Sequence, residues 1–245
     1  MTIWKTQCSH NIYQNNGNIR VFENWFYRWL QFDSSAMQTL INKRAPHRPG
    51  LHYVNAMTLL PKKNPGNTIL LGLGGAGIIH VLSPYYQQFN ITAVEINQEV
   101  IDIAYRFFLL DTIKTPLKII HQDANVFLLE HEKPLDYILV DLFEANRFPC
   151  QCLNETFFLN CERLLTSDGL LILNIASFKD QPLLMQLIQR VFKGRSLLVP
   201  IKKSPNTILY ATKNDSITLF SERIQSILKI KQISWDYEWG WVGQL

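Results

Sequence analysis

Three acidic residues lie at the ends of successive apolar segments of this chain. Glu95 lies near the end of "ITAVEI", Asp123 follows "LKIIHQ", and Asp141 lies near the end of "LDYILVDLF". The carboxyl ends of parallel strands lie along one edge of a sheet, so we expect these side chains to converge on one crevice. Carboxylates there could accept hydrogen bonds from ribose hydroxyls or take a proton from a reacting group.

Each of these carboxylates also has a purely structural explanation. Glu95 could be a solvated carboxylate that the dipole favours at a helix start. Asp123 could be the N-cap of a helix predicted over 124–131, although a cap can also contact a ligand. Asp141 could be satisfied by the amides of a turn. The acids therefore need a second feature to indicate a binding site.

The stretch "TILLGLGGAGIIHV", residues 68–81, supplies that feature. It predicts a strand, a tight glycine turn and a helix. Gly72, Gly74 and Gly77 have the G-x-G-x-x-G spacing of a dinucleotide site, and Glu95 follows Gly77 by 18 residues, close to the ~20 expected for a ribose-binding acid. A dinucleotide and an adenosyl sulfonium compound both fit this pattern. The acids after the third and fourth strands favour the sulfonium compound.

The elements that must position these residues alternate along the chain. Apolar runs predict strands over 68–73, 91–96, 117–122, 135–143, 169–176, 196–201 and 207–213. Helical spacing predicts helices within 97–111 and 153–169, the second ending at Gly169. Strands alternating with helices are typical of an α/β fold with a mostly parallel sheet.

The first 60 residues follow a different pattern. Short alternating segments are separated by turn residues at Asn16-Gly17 and at Asp33-Ser34-Ser35, which predicts small antiparallel strands. We therefore predict an N-terminal β-domain over 1–60 and a Rossmann-like domain that binds the nucleotide over 61–245.

Composition narrows the class of protein. The chain has 245 residues, 47% of them hydrophobic, which is enough for a large core. The net charge of +4 is spread along the chain, so a nucleic-acid partner is not indicated. Without a signal peptide or an apolar run of ~20 residues, we expect a soluble cytoplasmic protein with no membrane contact. The four cysteines lack paired metal-site spacing, and we expect reduced thiols and no metal site.

The order of the motifs resembles that of the spermidine synthase family, the aminopropyltransferases of class I methyltransferase fold. The similarity begins with "IYQNNGNIRV", "LQFDSSAMQT" and "GLHYVNAM". It continues through the glycine turn "GLGGAG", "VEINQEVIDIA", the Asp123-Ala124 pair and "DLFEA". This resemblance covers most of the chain, and it implies a mostly parallel seven-stranded sheet behind a small antiparallel β-domain.

The resemblance also implies roles for individual residues. Asp141 would assist removal of a proton from the attacking amine, while Tyr53 and Glu144 would hold that amine. An adenosyl co-substrate, decarboxylated S-adenosylmethionine or S-adenosylmethionine, would bind with no permanently bound cofactor, and the protein would be a homodimer. The residues implied to bind this donor are Gln14, Gly72, Gly74, Gly75, Glu95, Asp123 and Ala124.

The chain departs from the family pattern at three places. The family turn "GGGDGG" carries an acid that pairs with the donor's ammonium, and Gly75 stands at that position here. The absence of this acid removes a charge-assisted contact with the donor's ammonium. It also removes the charge that would repel a donor that keeps its carboxylate. Val54 replaces the glutamine after the tunnel tyrosine, and "DLFEANRFP" replaces "DSSDPxGPA".

Three functions remain open from the sequence. The first is transfer of an aminopropyl group to a polyamine such as putrescine. The second is methyl transfer from S-adenosylmethionine to a small acceptor, and the third is a non-catalytic homologue that binds a nucleoside or a partner.

The C-terminal "SWDYEWGWVGQL" could be an aromatic and acidic wall for a cationic acceptor, or a tail packed on the sheet or on a dimer partner.

Overall fold

The residues that the structure describes form two β-sheets. The computed structural model describes residues 3–15, 17–32, 37–88, 90–113, 116–144, 147–176 and 179–245. The N-terminal sheet is an antiparallel meander of four strands, β1 to β4, which are His10–Gln14, Arg20–Glu23, Tyr27–Gln31 and Met37–Asn42. This confirms the predicted N-terminal antiparallel sheet. Of the turns predicted there, Asn16 and Asp33-Ser34-Ser35 lie outside the described residues.

The second sheet has nine strands in the order β12-β13-β10-β11-β9-β8-β5-β6-β7. The central pairs β9-β8, β8-β5, β5-β6 and β6-β7 are parallel, as predicted for an α/β fold. The strands are Asn67–Leu71 (β5), Asn90–Glu95 (β6), Leu117–His121 (β7), Leu135–Val140 (β8), Leu165–Ile175 (β9), Ser196–Pro200 (β10), Thr207–Thr212 (β11), Gln232–Asp236 (β12) and Gly240–Gln244 (β13).

The sheet therefore has two strands more than the seven that the sequence predicts. The C-terminal residues form the hairpin β12-β13, and β13 pairs in parallel with β10 through Leu197 and Trp241. Trp235 and Trp241 stack edge to face, with ring centroids 5.2 Å apart. The C-terminal tail thus extends the sheet at the edge opposite β7. This agrees with the expectation that the tail packs on the sheet, and not with the alternative that it forms a wall for a cationic acceptor.

Within the described ranges, seven α-helices cover the large sheet and its edges. They are His52–Lys63 (α1), Gly77–Leu82 (α2), Gln98–Phe107 (α3), Ala124–Glu130 (α4), Glu155–Leu164 (α5), Gln181–Val191 (α6) and Ile217–Leu228 (α7). Short 3-10 helices cover Ile3–Thr6, Ser83–Gln88, Leu110–Thr112 and Cys150–Cys152. None of the helices in the described ranges is long and apolar enough to cross a bilayer.

The prediction of a helix over 153–169 is wrong at its C-terminal end. Helix α5 ends at Leu164, and the chain enters β9 at once, so Gly169 lies inside a strand. A Cβ at Gly169 would lie 2.8 Å from the carbonyl oxygen of Leu135 on β8. The glycine is therefore explained by the close approach of a neighbouring strand, not by a helix C-terminus.

Helix α3 joins the two sheets. Val100 and Ile103 are buried on its inner side with Ile41 of the N-terminal sheet. At the start of the helix, the Tyr13 hydroxyl donates to Glu99 Oε1 at 2.6 Å, and Asn15 Nδ2 donates to Glu99 Oε2 at 2.9 Å. The N-terminal sheet thus contacts the edge of the large sheet through both apolar and charged groups.

The predicted boundary between residues 60 and 61 falls inside α1. This helix packs on the large sheet, where Val54, Met57 and Leu60 are buried in the main core. The division of the chain into domains over 1–60 and 61–245 stays a prediction.

Gly72 directly follows β5, between the carboxyl ends of β8 and β6. Its amide donates to Val94 O at 2.8 Å, and the amide of Asp141 donates to Leu71 O at 2.9 Å. Gly72 has φ +91°, and a Cβ on it would lie 2.3 Å from the backbone oxygen of Asp141. Both the backbone conformation and the space therefore require glycine here.

We expect Gly72→Ala to lower the free energy of unfolding by about 3 kcal/mol, because a positive φ costs ~1–2 kcal/mol and the steric overlap adds to it. Gly194→Ala is the matched control. Gly194 has φ +75°, but apart from its own atoms and its two chain neighbours, no atom of the described residues lies within 4 Å of the position that an added Cβ would take. That control should lose only about 1 kcal/mol. Urea unfolding measures both, and equal losses would contradict the steric explanation.

Candidate active site

A cavity of about 430 Å³ opens at the carboxyl ends of β5, β6 and β8, beneath strand β4 of the N-terminal sheet. The ends of parallel strands are the expected place for a ligand in an open α/β sheet. Eight of the residues predicted for the site line this cavity: Tyr53, Gly72, Gly74, Glu95, Asp123, Ala124, Asp141 and Glu144. Of the other two, neither Gln14 nor Gly75 lines it.

Glu95 connects the end of β6 to the glycine turn. Its Oε2 accepts the amide of Leu73 at 2.9 Å, and its Oε1 accepts the amide of Asn97 at 3.0 Å. The carboxylate is therefore fixed by two backbone donors, and Glu95 lines the cavity with further acceptor capacity that these donors do not use. An acid held at this place can accept hydrogen bonds from a pair of ribose hydroxyls.

Asp123 is the N-cap of α4. Its Oδ1 accepts the amides of Asn125 at 2.8 Å and Val126 at 3.2 Å. The structural interpretation of this residue is thus confirmed, and the same side chain also lines the cavity. Asp123 can cap the helix and also contact a ligand, because the cap uses only Oδ1 and leaves Oδ2 as a further acceptor.

Asp141 lies at the end of β8, where two other elements supply hydrogen-bond donors. The Tyr53 hydroxyl from α1 donates to Oδ2 at 3.0 Å, and Asn174 Nδ2 from β9 donates to Oδ1 at 2.7 Å. Burial raises the pKa of the Asp141 carboxyl to about 6, while these two donors act to lower it. Burial and the adjacent Asp141 hold the pKa of Tyr53 well above its usual value.

A carboxyl group with a pKa near neutrality can exchange a proton with a bound group at physiological pH. This is the property that a general base needs. The raised pKa therefore makes Asp141 a candidate catalytic group, and its catalytic role stays a prediction.

The surroundings of Gly75 leave little room for a side chain at this position. The amide of Gly75 donates to the Thr39 hydroxyl of β4 at 2.8 Å. A Cβ on Gly75 would lie 2.9 Å from both Thr39 Cγ2 and Phe108 Cδ1. The space that a side chain at this position would need is therefore filled by the N-terminal sheet and by the residue that follows α3.

Gln14 is exposed on β1, and its Oε1 accepts from Asn11 Nδ2 at 3.1 Å. Glu144 is exposed at the mouth of the cavity, in a loop where its backbone exchanges hydrogen bonds with Arg147. Roles for both residues in ligand binding stay predictions.

Sequence reasoning missed four polar residues of the site region. Gln38 and Thr39 of β4 line the cavity, and Gln38 lies within the motif "LQFDSSAMQT", which was a usable indication. Asn174 is a single polar residue in the apolar run "LLILNIA", and it is 2% exposed. Asn206 Nδ2 donates to Asn174 Oδ1 at 2.9 Å. No pattern in the sequence places Asn206 near the site.

The charges around the cavity favour a cationic ligand. Glu95, Asp123, Asp141 and Glu144 line it, and Arg48 is the only basic residue among the described residues that do so. An excess of carboxylates raises the local concentration of positively charged molecules. In the described part of the chain, no three His, Cys, Asp or Glu residues are placed to hold a metal ion.

A glycine turn after the first parallel strand, followed by an acid at the end of the next, defines an α/β domain of the nucleoside-binding class. Residues 52–213 match the family model of the spermine/spermidine synthase domain. The chain therefore belongs to the spermine/spermidine synthase family.

Individual relatives agree with this assignment. A polyamine aminopropyltransferase of Neisseria meningitidis is 29% identical over 209 residues, which cover 84% of this chain and 77% of the relative. A probable spermidine synthase from Corynebacterium glutamicum has the same fold, with a TM-score of 0.71 at 18% identity over 90% of this chain and 85% of that one. A spermidine synthase in complex with the transition-state analogue AdoDATO has a TM-score of 0.64 at 18% identity, and the match covers 85% of this chain and 75% of that one.

The capping role of Asp123 can be separated from any ligand contact. We expect Asp123→Ala to lower the free energy of unfolding by about 1 kcal/mol, because two amides of α4 lose their acceptor. Asp123→Asn should change it by only a few tenths of a kcal/mol, since asparagine caps helices as well as aspartate. Urea unfolding compares the two variants. Equal stability of both would contradict the cap, and a ligand contact would appear separately as lost affinity in the Asn variant.

Proposed function

We propose that this protein transfers an aminopropyl group from decarboxylated S-adenosylmethionine to a small amine of the polyamine class. The observation that carries the proposal is the Asp141 carboxylate, which lines the cavity with a pKa raised to about 6. Family membership and the names of the relatives support the same reaction.

The donor would lie along the ends of β5, β6 and β8. Glu95 would accept the ribose hydroxyls, and Asp123 and Ala124 would contact the adenine beside α4. The glycine turn at Gly72 and Gly74 leaves space for the backbone to approach the nucleoside closely. This placement directs the sulfonium end of the donor toward Asp141, because the end of β8 is adjacent to the end of β5 in the sheet.

The transfer itself needs a base and little else from the protein. An amine is protonated near neutral pH, so Asp141 takes one proton and frees the nitrogen lone pair. That lone pair attacks the carbon next to sulfur, a C–N bond forms, and the C–S bond breaks with its electrons going to sulfur. The donor leaves as the neutral thioether methylthioadenosine, and the product nitrogen carries the positive charge. Tyr53 and Glu144 would hold the amine during attack.

Methyl transfer from S-adenosylmethionine is a second candidate that one observation favours. Gly75 leaves the turn without the acid that would repel a donor carboxylate, and Thr39 occupies the space beside it. The cavity therefore has no group at this turn that distinguishes the two donors by charge.

A homodimer and a cytoplasmic location, which the family likeness and the sequence suggest, stay predictions.

We expect Asp141→Asn to lower kcat by about 10²- to 10⁴-fold with donor affinity nearly unchanged, because the amide cannot accept the amine proton. In the wild type, kcat/KM should be low below pH 6 and rise to a plateau above it, since only the ionised carboxylate acts as a base. Steady-state kinetics across pH measure both effects. Asp102→Asn, an exposed change on α3, is the control, and full activity of Asp141→Asn would contradict the proposed base.

We expect decarboxylated S-adenosylmethionine and S-adenosylmethionine to bind with affinities that differ less than about tenfold. An acid at the turn would add a hydrogen bond to a charged group, which contributes ~1.5–3 kcal/mol, and Gly75 lacks it. Parallel calorimetric titrations measure the two affinities. A hundredfold preference for the decarboxylated donor would contradict this explanation, and the product identifies the reaction: methylthioadenosine from aminopropyl transfer, S-adenosylhomocysteine from methyl transfer.

A further inference from the structure

A chain of side-chain hydrogen bonds leads from a surface hairpin to Asp141. Asn174 Nδ2 donates to Asp141 Oδ1 at 2.7 Å, and Asn206 Nδ2 donates to Asn174 Oδ1 at 2.9 Å. Ser204 Oγ donates to Asn206 Oδ1 at 2.5 Å. Asn174 lies on β9, and the other two residues lie in the connection between β10 and β11. Neither asparagine is among the residues assigned above to the donor or the amine.

The chemistry of the groups determines the direction of every bond in this chain. An ionised carboxylate only accepts hydrogen bonds, so Asn174 must present its NH₂ group to Asp141. The carbonyl oxygen of Asn174 then faces Asn206, which must present its own NH₂ group. The remaining oxygen of Asn206 faces the Ser204 hydroxyl, which can donate. All donors thus point toward Asp141.

We propose that Asn174 and Asn206 are positioning residues that hold the Asp141 carboxylate ionised and aimed into the cavity, Asn174 by direct contact and Asn206 by fixing the orientation of the Asn174 amide. This inference rests on the proposed function, in which Asp141 accepts the amine proton. It adds a second set of residues, outside the cavity lining, on which the reactivity of the base depends.

Burial is what makes the orientation of the amide important. Asn174 is 2% exposed, so water cannot replace its contact with Asp141. Without the bond from Asn206, the Asn174 side chain could rotate and place its oxygen against the carboxylate.

Among the described residues, the titratable group bonded to Asp141 is Tyr53. Glu144 and Arg48 line the same cavity, while Lys202 and Lys203 are exposed on the hairpin.

The test uses variants on both asparagines. Asn174→Ala removes the direct donor. Asn206→Ala removes the donor that fixes the Asn174 amide without adding a charge, so that the amide is free to turn its oxygen toward Asp141. Asn214→Ala is the matched control, because Asn214 lies just beyond β11 and bonds Asp168 at 2.6 Å, away from the cavity. Asn206 is partly exposed, so its variant tests the proposal even if Asn174→Ala does not fold.

The measurement is the titration of Asp141 by carboxyl-¹³C NMR, with the resonance assigned by its loss in Asp141→Asn. We expect the midpoint, about 6 in the wild type, to rise by about one pH unit in Asn174→Ala, to rise by a smaller amount in Asn206→Ala, and to stay unchanged in Asn214→Ala. The acid limb of kcat/KM should move by the same amount, with the KM for the donor unchanged. Unmoved midpoints in both site variants would overturn the proposal.

The two measurements separate this inference from the proposed function. The NMR titration needs no substrate, so it decides whether the asparagines control Asp141 even in a protein without transferase activity. A wild type that transfers nothing from either donor would instead contradict the proposed function. A shifted midpoint with an unshifted acid limb would show that the asparagines control the ionisation of Asp141, and it would contradict the proposed function, because Asp141 would not be the base.

Discussion

The arrangement of this site depends on the cost of keeping a carboxylate at the buried end of a strand. An ionised acid removed from water is tolerated only where donors surround it. Asp141 obtains its donors from Tyr53 on α1 and Asn174 on β9, two elements separated by more than a hundred residues of sequence. Burial nevertheless outweighs these donors, because the pKa of Asp141 remains raised to about 6. The balance that makes the ionised group costly therefore also gives Asp141 the raised pKa on which its proposed role as a base depends.

The strand order explains how these donors reach one point. Strand β8 lies between β5 and β9, so the glycine turn after β5 and the end of β9 flank Asp141 on either side. The close approach is possible because Gly72 has no side chain to meet the backbone of Asp141. The cavity lies on one side of Asp141, and the chain of polar side chains that ends at Ser204 lies on the other.

The N-terminal sheet completes the site from above. Thr39 accepts the amide of Gly75, and Gln38 lines the cavity beside it. Tyr13 and Asn15 bind Glu99 at the start of α3, which attaches the sheet next to Glu95 at the end of β6. The N-terminal sheet thus occupies the space that a side chain at position 75 would need, because Thr39 lies against the glycine turn.

The sequence by itself determined the parallel sheet, the glycine turn and the convergence of Glu95, Asp123 and Asp141, since each follows from local periodicity and from the rule that strand ends share an edge. It did not determine the end of α5, the hairpin that adds two strands, or the chain from Asn206 to Asp141. These features depend on contacts between distant segments: Gly169 against Leu135, Trp241 against Leu197, and Asn206 against Asn174. Only the tertiary structure decided them, because no local pattern records which remote side chain satisfies a buried polar group.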